Sequence, residues 1–208
     1  MWGTGFARDH RGNPAAALAV ERLYAAPSMF SGLSTLVLSQ AELKVVSQHQ
    51  KQMFVRLQKL YPWTPTCAVL FTAGSLPAKA LLDIKKFSLL GMIARLGPEN
   101  VLFRQALFSL LHQIKSSWFF DVRNLSRRYS LPDPLTILND PPSKESFRRL
   151  VLSNVTESWH QTLCHEVSLL PSLQFLRAPF LPLNGTPHPL WSSCCSSPSV
   201  VRAATVQC

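Results

Sequence analysis

Proline placement constrains this chain more than any other feature. Its fixed φ and missing amide hydrogen suit the first turn of a helix and disrupt every later turn. Sixteen prolines stand against eight glycines, and most fall between apolar runs rather than inside them. Pro14 opens a run from Ala15 to Tyr24 that Pro27 is expected to close, and Pro62 and Pro65 break the chain further on. Ser75 and Pro77 start another run that ends at Gly97-Pro98, and Leu131-Pro132-Asp133-Pro134 stops a later one. With Leu and Ala abundant between these breaks, the pattern predicts an all-α fold: an irregular bundle of amphipathic helices with a proline-rich, extended C-terminal tail.

The clearest helix covers Gln40 to Leu60. Leu43, Val46, Met53, Leu57 and Leu60 keep a three-four spacing, with Gln50 in the one polar gap. Lys44, Lys51, Arg56 and Lys59 fall on the opposite arc, so one face reads as core and the other as a basic, solvated strip. Before it, Leu33 to Leu38 form a short apolar run. After it, Ala80, Leu81, Ile84 and Phe87 face inward on one helix, and Leu102, Ala106 and Leu110 share a side within residues 99–113. Ser116 or Ser117 caps a helix on which Trp118, Val122, Leu125 and Tyr129 repeat. Ser143 caps a long one, with Phe147, Leu150, Val151, Val155 and Trp159 inward, running to about Leu169.

This gives a flexible arm at 1–13, a basic helical region at 14–170, a Pro/Ser-rich tail at 171–198 and a truncated helix start at 199–208. Six prolines in the tail predict an extended, poorly packed segment.

Charge narrows the function. Twenty-one Lys and Arg against eleven Asp and Glu leave a formal +10. Sixteen of the basic and six of the acidic residues lie between 44 and 149, so the whole excess sits there. Such a balance favours polyanions, nucleic acid foremost. The candidate phosphate contacts are Lys44, Lys51, Arg56, Lys59, Lys85, Lys86, Arg123, Arg127, Arg128, Lys144, Arg148 and Arg149. Residues 44–59 contain no acid, leaving Glu42 as the only carboxylate of that helix. The competing reading is a set of ordinary solvated faces. Trp118, Trp159 and Tyr129 have rings suited to base stacking, but their helical spacing assigns them to the core.

Enzyme chemistry is not expected. The chain has no adjacent Asp-Asp pair for two metal ions, no phosphate-binding glycine loop and no nucleophile triad, so no catalytic residue or cofactor is assigned. His160 and Cys164, at i and i+4, would need Cys194-Cys195 to complete a metal set. Vicinal cysteines rarely ligate one ion together, so structural residues and no metal are expected. Five cysteines, an odd count, and no cleavable apolar leader after Met1 predict an intracellular setting, nucleus or cytoplasm, and no secretion. No run reaches the length of a membrane span, so no membrane partner is expected.

Short motifs run in order along most of the chain: Asn13-Pro14-Ala15, Leu23-Tyr24-Ala25-Ala26-Pro27, Ser31-Gly32-Leu33, Gly74-Ser75-Leu76-Pro77-Ala78 and Leu89-Leu90-Gly91-Met92-Ile93. Ser116-Ser117-Trp118-Phe119, Tyr129-Ser130-Leu131-Pro132-Asp133-Pro134, Pro141-Pro142-Ser143-Lys144 and Pro187-His188-Pro189-Leu190-Trp191 continue the series. In this order they resemble the region that follows the reverse transcriptase in non-LTR (LINE-type) retrotransposon polyproteins. The resemblance implies a parent with endonuclease and polymerase domains upstream, whose residues do not carry over to this chain. It implies a non-catalytic, nucleic-acid-binding accessory region with RNA or DNA as partner. The alternatives are a helical interaction or scaffold protein, or a retroelement remnant without function. The sequence sets no oligomeric state.

Overall fold

The computed structural model describes residues 14–176, 181–188 and 191, and every regular element among them is helical. The sequence readings for residues 1–13, 192–198 and 199–208 lie outside the described residues. In chain order come α1 (Pro14–Val20), a π-turn (Glu21–Ala25), α2 (Ala26–Met29) and a 3-10 turn (Leu33–Thr35). They are followed by α3 (Gln40–Gln58), α4 (Thr66–Ala73), α5 (Ala78–Leu96), α6 (Val101–Leu111) and α7 (Trp118–Arg128). The last are α8 (Pro134–Asn139), α9 (Lys144–Ser168) and a second 3-10 turn (Pro171–Leu176). The chain divides into two compact units. The first takes the described residues within 1–31, 41–78 and 159–208, the second those of 32–40 and 79–158.

The first unit is built around α4. Six of its eight residues, Cys67 to Phe71 and Ala73, are buried. A helix that is apolar on every side has no amphipathic period to announce it, which is why sequence patterning passes over it, and burial is its only stable environment. Its C-terminus needs Gly74, which adopts φ +62° and closes the helix as Ser75 N–H bonds back to the Leu70 carbonyl at 3.0 Å. A Cβ at this position would also collide with the Thr186 carbonyl.

The tail supplies what the end of α4 lacks. Helix termini leave carbonyls without intrahelical donors. His188 N–H donates to the Thr72 carbonyl at 3.0 Å, Trp191 Nε1–H to the same oxygen at 2.9 Å, and Gly185 N–H to the Gly74 carbonyl at 2.7 Å. Residues 181–188 have neither helix nor strand, but Leu181, Leu183 and Trp191 are buried. The expectation of poor packing is therefore corrected at these residues. Extended backbone leaves its amides free to cap a helix, and three apolar side chains anchor it.

Two glutamines replace apolar residues on the inner face of α3. The deepest residues are Gln50, Phe54, Val55 and Gln58, whereas Leu43, Val46, Met53, Leu57 and Leu60 are only half-buried. Gln50 accepts the Ala78 N–H at 2.6 Å and donates to the Leu76 carbonyl at 3.0 Å, capping the start of α5. Gln58 donates to the Val69 carbonyl at 3.1 Å. The Gln50 amide thus satisfies the Ala78 N–H, a buried helix-start donor that leucine would leave without a partner, whereas Gln58 Oε1 is buried with no hydrogen-bond partner among the described residues.

Pro27 does not end the first helix. The ladder widens to a π-turn in which Ala26 N–H reaches back to the Glu21 carbonyl, and the helix resumes as α2 with Pro27 in its first turn. There the missing amide hydrogen is not needed.

The second unit follows the periodic reading closely. Ala80, Phe87, Ala106, Leu110, Val122, Leu125, Tyr129, Phe147, Val151 and Val155 are buried, although Leu81, Ile84 and Trp118 are only half-buried, Leu102 and Leu150 are exposed, and Leu82 and Phe103 turn inward instead. Ser117 caps α7 by accepting the Phe119 N–H at 3.2 Å, and Ser143 accepts the Ser146 N–H at 3.2 Å at the start of α9. Asp133 does two things at once: its Oδ1 caps α8 through Leu135 N–H at 2.9 Å, and its Oδ2 accepts from Arg123 at 2.8 Å. No single helix among the described residues is long and apolar enough to cross a membrane.

Candidate nucleic-acid interface

One face of α3 carries Gln48, Lys51, Gln52, Val55 and Arg56, positions that recur every three or four residues and so form one stripe. Together with Pro62 and Thr66 they line an open groove of about 650 Å³, within the size range of ligand pockets. Val55, buried, is its apolar part, and Lys51 and Arg56 are its cations. No carboxylate among the described residues lines it. Among the described residues neither cation makes an ion pair or a side-chain hydrogen bond.

The loop residues of the groove follow from how α3 ends. Lys59 takes the left-handed conformation at φ 56°, and Leu60 N–H returns to the Val55 carbonyl at 2.9 Å, a helix stop usually made by glycine. The chain then reverses in a β-turn, Tyr61-Pro62-Trp63-Thr64, closed by Thr64 N–H on the Tyr61 carbonyl at 3.0 Å. Pro62 occupies the second position, which its φ suits. The Tyr61 and Trp63 rings on either side of it stack at 4.7 Å with 13° between their planes. Both are exposed, Tyr61 by 41% and Trp63 by 75%. Sequence reading missed this pair because a loop flanked by Pro62 and Pro65 has no periodicity to read.

A search against family models, curated proteins and solved structures finds no match. The site is therefore read from its own chemistry.

The other expected phosphate contacts separate into two groups. Lys86 is only 7% exposed and donates to Asp121 at 2.6 Å. Arg123 is engaged by Asp133 and by the Leu110 carbonyl at 3.4 Å. These two belong to the packing of the second unit, because their carboxylate partners arrive from other parts of the same bundle. Lys44, Lys59, Arg127, Arg128, Lys144, Arg148 and Arg149 are exposed, and Lys85 is half-buried. Arg128 lies over the Tyr129 ring at 5.5 Å. Only Lys51 and Arg56 share the α3 groove.

Of the aromatic residues expected in the core, Tyr129 is buried, whereas Trp118 and Trp159 are half-buried. Tyr129 is 3% exposed and donates to Asp83 at 2.6 Å, and Trp118 donates to the Ser34 carbonyl at 2.8 Å. Neither is free to stack on a base.

Cys67, next to Thr66, is buried, and burial pushes its thiol above the ordinary value. The Ala68 amide and Lys51 act against that shift, and Glu166 adds to it. Such a thiol is a poor nucleophile. His160 stands edge-on to Phe71 with Nε2 3.1 Å from the Leu181 carbonyl, and Cys164 Sγ lies 3.7 Å from its Nδ1. Among the described residues no three His, Cys, Asp or Glu side chains form a metal-binding group. Cys194 and Cys195 lie outside them.

Proposed function

We propose that this chain is a non-catalytic, nucleic-acid-binding helical region of a retroelement polyprotein, contacting RNA or DNA through the α3 groove. The observation that carries the reading is the pairing of Lys51 and Arg56 on one open groove whose lining holds no acid. Such cations displace the counterions condensed on nucleic-acid phosphates, and the release of those counterions drives binding. The polar Gln48, Gln52 and Thr66 add hydrogen-bond donors for phosphate or sugar oxygens. The collinear motifs resembling the LINE-type region supply the biological setting, in which the groove would hold template or target beside a polymerase.

The test is binding of the full chain to labelled oligothymidine across a salt series. Replacing Lys51 and Arg56 with Gln should weaken binding and flatten the slope of log K against log salt by about 0.7 to 1.4, corresponding to one or two contacts on a single strand. An unchanged slope would make this groove an ordinary solvated face.

One observation favours a helical interaction protein instead. Val101, Phe108 and Leu111 of α6 are each more than half exposed, an apolar surface of the kind that partner proteins cover.

A further inference from the structure

We infer that the Tyr61–Trp63 pair makes the groove selective for single-stranded nucleic acid, by offering a fixed surface on which an unpaired base stacks. The inference rests on the groove reading above and extends it from phosphate binding to recognition of strandedness.

Three features of the turn support it. First, large aromatic side chains normally bury their area, and Trp63 leaves three-quarters of its surface in solvent. Its contact with Tyr61 covers one ring face at most, so the second face has room for a base. Second, the pair is held in place before any ligand arrives. Pro62 fixes the turn, the Thr64-to-Tyr61 hydrogen bond closes it at 3.0 Å, and the rings are nearly parallel at 13°. Such preorganisation reduces the entropy lost on binding. Third, Pro62, the residue between the two rings, lines the same groove as Lys51 and Arg56. Aromatic side chains beside a cationic groove form the combination that binds single strands without reading sequence. A duplex keeps its bases stacked inside, so it can use the cations but not the rings.

The experiment compares three probes on the full-length chain: oligothymidine, the same strand paired with its complement, and a sulfated polysaccharide of similar charge density. Trp63→Ala should lower affinity for the single strand about tenfold, leave the other two probes unchanged and preserve the salt slope. Trp63→Phe should restore most of the loss. The helical circular dichroism should be the same in all three proteins, since the side chain removed is exposed. An equal loss on every probe would assign Trp63 a structural role and overturn the inference, as would an unchanged affinity for the single strand. The groove reading fails differently: the Lys51→Gln, Arg56→Gln protein would then keep the wild-type salt slope on all three probes.

Discussion

Lys86 and Lys51 are lysines on two nineteen-residue helices of one strongly basic chain, and the fold treats them differently. Lys86 is buried in the second unit against Asp121 at 2.6 Å, while Lys51 opens onto the α3 groove in the first. The difference lies in the supply of carboxylates. The second unit brings Asp121 to Lys86 and Asp133 to Arg123. Between residues 44 and 59 the sequence offers no acid at all. Net charge therefore says that a chain is basic, and only the placement of its acids says which cations are left for a ligand.

The same contrast holds for buried acids. Asp83, in the second unit, accepts the Tyr129 hydroxyl at 2.6 Å. Burial raises its carboxyl, while the hydrogen bond and the nearby Lys86, Lys79 and Arg128 act against the rise. Glu21, in the first unit, is 4% exposed. Burial pushes its carboxyl up to about 7, with only Arg22 opposing.

Glu21 gives the largest expected effect. Below about pH 4.5 the carboxyl is protonated in both folded and unfolded chains, so it adds no pH dependence. Between there and about 7 the unfolded chain releases its proton and the folded one does not, so stability falls as pH rises and levels off above that range. The loss amounts to about 3 kcal/mol at full ionisation. Glu21→Gln should flatten the urea-unfolding profile between pH 5 and pH 8. Parallel profiles for the two proteins would show that Glu21 ionises freely and that the first unit tolerates a buried charge.

A smaller effect is expected at Lys86. Substitution by Gln removes a charge-assisted hydrogen bond and leaves Asp121 without its cation, lowering stability by about 1 to 3 kcal/mol in urea denaturation. Nucleic-acid affinity should not change. Reduced affinity without loss of stability would move Lys86 from packing to binding and erase the contrast with Lys51. The smallest effect on stability, within about 0.5 kcal/mol, belongs to Lys51→Gln with Arg56→Gln, since Arg56 is exposed, the half-buried Lys51 makes no ion pair among the described residues, and polar substitutions away from the core seldom perturb a fold.

What could be read from the sequence follows from what leaves a periodic trace. α3, α6 and α7 present one apolar face and one polar face, so spacing found them; α5 and α9 were marked mainly by the breaks and caps at their ends, and Ser117 and Ser143 marked the starts of α7 and α9 correctly. α4 is apolar all round and α8 is six residues between prolines, so neither offers a period. Gln50 read only as a polar gap and Gln58 carried no signal, because their backbone partners lie at residues 69 to 78 and are visible only once the chain is folded. The same holds for the tail, where composition reported the prolines but not the carbonyls of Thr72 and Gly74 that residues 185–191 cap. At the candidate site, Lys51 and Arg56 were legible as charges without local acids. Tyr61 and Trp63 were not, because a β-turn brings them together at a spacing that belongs to neither helix nor strand.

The most direct test of the proposed nucleic-acid site is ultraviolet cross-linking of the full-length protein to oligothymidine, with the adducts located by mass spectrometry. Cross-links should concentrate in residues 44–66, strongest at Tyr61 and Trp63, and should fade as salt rises. Adducts concentrated instead in residues 123–149, where Arg127, Arg128, Lys144, Arg148 and Arg149 are exposed, would place the binding surface on the second unit and contradict the assignment to the α3 groove.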